Sequence, residues 1–167
     1  MSIERPIIKL KLSATDLIVD RLVWAGLLFI WVFTIISYSR LPEIIPTHFD
    51  IKGQVNGYGS KITIWIVPAI LAVIVAGIST LNKYPHIFNY LKPITPGNAQ
   101  KQYVLATRML RYLKLAVVVI FGLITVSTVS TANTQKAGIG IWVLPVSLIF
   151  IFVPIIIYFY EANKKVN

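Results

Sequence analysis

Apolar and polar positions along this chain fall into four long apolar runs divided by shorter polar segments. Residues 22–39, 62–82, 115–135 and 137–160 contain no Asp, Glu, Lys or Arg. Each run is close to the roughly 20 residues that a helix needs to cross a hydrocarbon core. The pattern predicts four transmembrane helices joined by a segment at 40–61, a second at 83–114 and a turn near Lys136, with flanking segments 1–21 and 161–167. The expected fold class is an all-α integral membrane protein, a single membrane domain over 1–167.

Finer patterning adds local expectations. Residues 7–12, IIKLKL, alternate apolar and basic, as in a strand or a ribbon on a membrane surface. Ser13 followed by Asp16 is a capping-box pattern that starts a helix leading into the first run. Trp24 and Tyr38 fall near the ends of that run, where amphipathic rings prefer to sit. Ala69, Ala72, Ala76 and Ser79 place small residues on one face of the second helix, and Thr125, Thr128 and Thr131 place hydroxyls on the third, where helix packing is their expected role. Pro154 predicts a kink in the fourth helix. Pro68 and Pro145 lie near helix starts, where no backbone hydrogen bond is sacrificed. The segment Ile62–Pro68 aligns without gaps on Ile139–Pro145. Membrane physics, placing an interfacial Trp and a first-turn Pro twice, explains this better than duplication, because the first and third runs show no matching similarity.

Composition agrees with the pattern. The chain is 56% hydrophobic and 13% charged, with mean hydropathy +0.75, whereas about a quarter of the residues of a soluble domain are charged. Arg5, Lys9, Lys11 and Arg21 precede the first run and Tyr38-Ser39-Arg40 offers no small-residue cleavage site, so that run is read as a retained helix and not a secretory signal. There are no cysteines, which excludes a disulfide framework and a thiolate metal site.

The net charge of +10 acquires meaning from its placement. Twelve Lys and Arg lie in 1–21, 83–114 and 161–167, against four on the other side: Arg40, Lys52, Lys61 and Lys136. This is a positive-inside asymmetry, predicting both termini and the 83–114 loop in the cytoplasm and the 40–61 segment outside. Topology and attraction to anionic lipid account for the basic surplus, and a nucleic-acid partner is not expected.

The 40–61 segment carries the densest chemistry. Leu41-Pro42 and Ile45-Pro46 stiffen the exit from the first helix. Gly53, Asn56-Gly57 and Gly59 supply sites for turns, so the segment reads as a compact folded outer cap. His48 is flanked by Glu43 and Asp50, groups able to bind a divalent metal or to act as acid and base. Their spacing matches no zinc signature and His86 falls on the opposite side. His48 is thus the one metal candidate, and the preferred reading is a histidine that fixes the cap or contacts a partner. No catalytic residue and no cofactor is implied.

These residues resemble the signature of the bacterial membrane domain of unknown function catalogued as 1648, found at the N-terminus of SdpI-type toxin-immunity proteins. In the outer segment the resemblance is carried by Leu41, Pro42, Pro46, His48, Gly53, Gly57, Tyr58, Gly59 and Lys61. In the cytoplasmic loop it is carried by Pro85, Phe88, Asn89, Tyr90, Thr95, Asn98, Ala99, Tyr103, Arg108 and Arg111. The resemblance covers roughly residues 15 to 115. It implies a multi-pass protein of the bacterial cytoplasmic membrane, non-enzymatic, whose outer loop recognises a peptide or envelope partner in immunity or sensing. The chain is shorter than the six-span immunity proteins, with one helical hairpin in place of their C-terminal half. Two other readings follow from the residues themselves. One is a small accessory subunit of a larger membrane complex, packed through its small-residue stripes. The other is a metal-dependent enzyme at the outer face, with His48 as its foothold; no ionisable residue in any run marks an ion path.

Overall fold

The first helix begins where its capping signal places it. In the computed structural model, which describes residues 5–134 and 138–164, α1 runs Ala14–Tyr38. Ser13 Oγ accepts the Asp16 N–H at 3.2 Å while the Asp16 carboxylate accepts the Ser13 N–H at 2.9 Å. This reciprocal box satisfies amide groups that a bare helix start leaves without partners. A two-stranded antiparallel hairpin follows, β1 (Ile44–Phe49) with β2 (Val55–Ser60). A 3₁₀ turn at Lys61–Trp65 leads into α2 (Ile66–Leu81). A short 3₁₀ turn at Pro85–Ile87 precedes α3 (Ala99–Thr134), and α4 is Val143–Asn163. Four helices are therefore long and apolar enough to cross a membrane, the second counted from Lys61, and the chain is a multi-pass membrane protein. The expected turn at Lys136 and the tail residue Lys165 lie outside the described residues.

Three expectations are corrected. The fold is not all-α, because the segment between α1 and α2 is a hairpin. Its strands lack clean alternation and contain Pro46 and two glycines, residues depleted from strands, which hides them from a pattern search. The second segment, expected as a loop over 83–114, is helical from Ala99 onward, so polar residues extend α3 beyond its apolar run. At 36 residues this helix is about 54 Å long, well beyond the roughly 30 Å of a bilayer core. The fourth helix starts at Val143, since the positive φ of Gly138 and Gly140 holds the preceding stretch out of helical geometry.

The helices pack around α3. Val23, Leu27 and Ile30 of α1 meet Leu71 and Val75 of α2 and Val118 of α3 in one buried cluster. The face that α2 buries is Pro68, Leu71 and Val75, while Ala69 and Ala76 of the small-residue stripe are exposed. Thr125, Thr128 and Thr131 are buried, and Thr125 Oγ1 donates to the Phe121 carbonyl at 2.8 Å, a packing role. Pro68 and Pro145 each occupy the third position of their α-helix, with Trp65 and Trp142 at the two N-caps. From Trp to Pro the two aligned segments share their local geometry, but Thr63 lies in a 3₁₀ turn whereas its counterpart Gly140 has φ +85°.

Candidate functional site

At one end of the bundle the hairpin is held from three sides. Leu41 and Ile45 are buried with Ile64 and Val129 in a small core beneath it. Lys61, at the start of the second span, pairs with Glu43 at 2.8 Å and lies 5.5 Å from the centre of the Tyr38 ring, which itself packs on Trp65. At the tip, the Asp50 carboxylate accepts the amides of Lys52 and Gln54, both at 2.8 Å, and Gly53 adopts φ +74°. Gly53 then offers its carbonyl to the Ile139 N–H at 2.9 Å, pinning the tip to the segment before α4. A Cβ on Gly53 would come within 2.5 Å of the Gly140 carbonyl oxygen, so the close approach requires glycine.

The register places His48 at an irregular point of the ladder. Pro46 faces Tyr58, His48 faces Gly57 and Phe49 faces Val55, which leaves Thr47 extra on β1 and Asn56 extra on β2. Such bulges re-aim side chains. Here they bring His48 Nδ1 into a hydrogen bond with Asn56 Oδ1, and both residues are exposed. Gly57 and Gly59 do not make a turn, as Asn56-Gly57 suggested. They lie within β2, where a Cβ would stand 2.9 Å from His48 Cβ and from Thr47 Cγ2 respectively. The turn belongs to residues 50–54.

Glu43 and Asp50 are not gathered around His48. One is paired with Lys61 and the other caps the hairpin tip, so the metal or acid–base cluster suggested by their spacing does not assemble. Among the described residues there is no group of three His, Asp or Glu able to hold a metal. A cleft of about 390 Å³ runs beside His48, between Phe49, Ile51 and Gly53 of the hairpin, Ile120 and Ile124 of α3, and Val143 of α4. Pro42 and Tyr58 of the signature are exposed, while Leu41 and Pro46 are buried.

The opposite end of the bundle holds the remaining motif residues, most of them in contacts that join the loop to α3 and the N-terminal segment. Tyr103 is fully buried, with Ile94 and Ala99, beneath Ile8 and Leu10 of the N-terminal segment, and its hydroxyl donates to the Pro6 carbonyl at 3.1 Å. The ribbon expected at 7–12 is an extended segment in which Ile8 and Leu10 turn inward while Lys9 and Lys11 are exposed. Tyr90 stacks near Phe88 and Tyr103 and donates to the carbonyl of buried Pro85 at 2.8 Å. Burial raises the Tyr90 phenol above its ordinary pKa. Asn98 closes the turn before α3, accepting from the Thr95 N–H and donating to the Pro93 carbonyl, both at 2.9 Å. Asn89 is exposed. Arg5 joins the loop by donating to the carbonyls of His86 and Phe88. Lys92, Lys101 and Gln102 donate to carbonyls at the end of α4, groups that a helix terminus leaves unpaired.

A charge ladder joins α1 to α3. Arg108 grips Asp16 through Nε at 2.9 Å and Nη2 at 3.2 Å. One turn deeper, Asp20 receives Arg111 Nε at 3.0 Å and Lys114 Nζ at 2.9 Å, and Lys114 also donates to Ser79 Oγ of α2 at 3.0 Å. Reading the sequence by runs missed these carboxylates as partners of the motif arginines. The signal was present: Asp16 and Asp20 are four apart and Arg108, Arg111 and Lys114 three apart, spacings that align each set on one helix face.

Comparison with known proteins agrees with the signature and adds no activity. Residues 25–72 match the family described as Domain of unknown function (DUF1648). That range holds all of the hairpin signature, and the motif residues from Pro85 to Arg111 lie outside it. An uncharacterized protein of Archaeoglobus fulgidus is 32% identical over 68 residues, which is 36% of this chain and 37% of that protein. The aligned part thus spans little more than a third of the curated relative's length. No solved structure matches.

Proposed function

We propose that this chain is a non-enzymatic protein of a bacterial cytoplasmic membrane, with both termini inside, whose hairpin meets a peptide or envelope protein from outside in an SdpI-like immunity or sensing role. The observation that carries the proposal is the prefolded hairpin: pinned by Lys61–Glu43 at its base and by Gly53–Ile139 at its tip, it presents His48 and Asn56 beside an apolar cleft. A binding surface already ordered before contact loses less conformational entropy on association. The charge asymmetry supports the orientation.

The test is affinity purification of the native chain and of His48→Ala in mild detergent. A peptide or envelope protein held by the native chain and lost from a folded variant supports the proposal. Equal capture by both, or protection of cells from no secreted peptide, counts against it. Because the chain has no cysteine, single substitutions Lys52→Cys and Lys101→Cys report orientation, with labelling by an impermeant reagent expected at 52 and not at 101.

An accessory-subunit role is favoured by a separate observation. Almost none of the most apolar stretch of α4 is buried against the rest of the chain, leaving a long face for lipid or for another helix. A stoichiometric membrane partner that survives both extraction and the His48→Ala change would select this reading.

A further inference from the structure

The inner end of the charge ladder is out of balance. Asp20 is the shared acceptor of Arg111 and Lys114, so two cations face one carboxylate. Both cations are buried, with side chains 8% and 2% exposed. The neighbouring carboxylate, Asp16, is already gripped by Arg108. An uncompensated charge withdrawn from water is costly, and the ordinary remedy is a second counter-charge.

The place for one is a pocket of about 240 Å³ formed by Asp20, Ser79, Asn82, Lys83, Arg111 and Lys114. Exposed Lys83 adds a third cation at its rim. Arg111 uses Nε on Asp20, and its two Nη groups have no partner among the described residues. Asn82 donates to the Thr107 carbonyl at 3.4 Å, but its own buried Oδ1 has no donor among the described residues. The pocket thus offers N–H donors to an anion, while the sealed Asn82 Oδ1 is out of a ligand's reach.

Its depth selects the source of that anion. Lys114 immediately precedes the charge-free run 115–135, Ser79 lies in the last turn of α2, and Trp24 is near the start of the charge-free run 22–39. All three mark the boundary where hydrocarbon gives way to headgroups. Trp24 also lines the pocket, as an interfacial ring beside a glycerol backbone would. Basic pockets between helices at this level suit anionic headgroups.

We propose that this pocket is a binding site for an anionic phospholipid, its phosphodiester held by Arg111, Lys114 and Lys83. Phosphatidylglycerol carries that phosphodiester with a net negative charge and is the probe. The full chain is placed in nanodiscs of phosphatidylcholine, with and without phosphatidylglycerol, then released for native mass spectrometry and melted in parallel.

The expected result is preferential retention of phosphatidylglycerol and a higher melting temperature when it is present. Lys83→Gln, a change at an exposed side chain, lowers that retention about fivefold and leaves melting in pure phosphatidylcholine unchanged. Arg111→Gln abolishes it wherever the variant folds. Equal retention of the two lipids overturns the proposal, as does selective retention that Lys83→Gln leaves intact. Stabilisation by inorganic phosphate in phosphatidylcholine discs, equal to that given by phosphatidylglycerol, also overturns it by assigning the pocket to a soluble anion.

Discussion

Arg108 and Asp16, 92 residues apart, meet in a two-pronged pair in which Nε and Nη2 of the guanidinium address the two carboxylate oxygens at 2.9 and 3.2 Å. The carboxylate is buried and also caps α1, so one side chain ties the start of that helix to the polar extension of α3. Arg108→Ala strands this carboxylate and is expected to cost about 2 kcal/mol. Arg108→Lys recovers only part of that, because an ammonium lacks the planar fork. Unfolding in mixed detergent, followed by circular dichroism, ranks the three proteins; an alanine variant as stable as the native chain refutes the role.

The pair Lys61–Glu43 is a contrasting case. Its distance is as short, 2.8 Å, but the Glu43 side chain is 82% exposed. Water screens such pairs, so Glu43→Gln is expected to leave stability nearly unchanged. Measured beside Arg108→Ala, it separates the effect of burial from that of geometry.

Gly57 and Gly59 provide a test of the hairpin itself. Alanine at either site brings a methyl to 2.9 Å from a β1 side chain, an overpacking that costs roughly 1–3 kcal/mol. Gly53→Ala is expected to be worse, since it adds a positive φ to a backbone collision. Hydrogen exchange at residues 44–60 is the readout: amides protected in the native chain lose protection in each variant, most in Gly53→Ala, while those of α2 do not.

Alkaline pH should loosen the other end. Tyr90 is protonated where it donates to Pro85, and burial raises its pKa in the folded chain. A raised folded value means that the contribution is complete below the unfolded tyrosine pKa of about 10 and is lost as pH climbs beyond it. The melting temperature is therefore expected to fall above about pH 10, with a shallower slope in Tyr90→Phe. That variant also loses about 1 kcal/mol at neutral pH with its hydrogen bond.

Apolar runs reveal the number of membrane helices because lipid imposes one simple requirement on every residue of a span. The capping box at Ser13 was equally visible, since it depends on neighbours in sequence. The hairpin was not, because its strands are fixed by what lies beneath and beyond them: Ile45 by Ile64 and Val129, and Gly53 by Ile139. Glycines read as turn-formers are there for clearance under His48 and Thr47. His48 lies in the hairpin, where its partner is Asn56 and neither nearby carboxylate. Among the motif residues from Pro85 to Arg111, Tyr90 and Asn98 bond to near neighbours in sequence, whereas Tyr103 and Arg108 act through contacts more than 90 residues away, with Pro6 and Asp16.

The length of α3 has a mechanical consequence. It is one unbroken helix that packs against α1, α2, α4 and β1, and its first turns carry residues that hold the N-terminal segment. A stiff beam some 54 Å long that pivots by about 5° about its midpoint displaces its two ends by roughly 2 Å in opposite directions. No hydrogen bond within the helix need break for this. The hairpin packed at Val129 and the loop packed at Tyr103 thus sit on opposite arms of one rigid element, with Lys114 close to its middle.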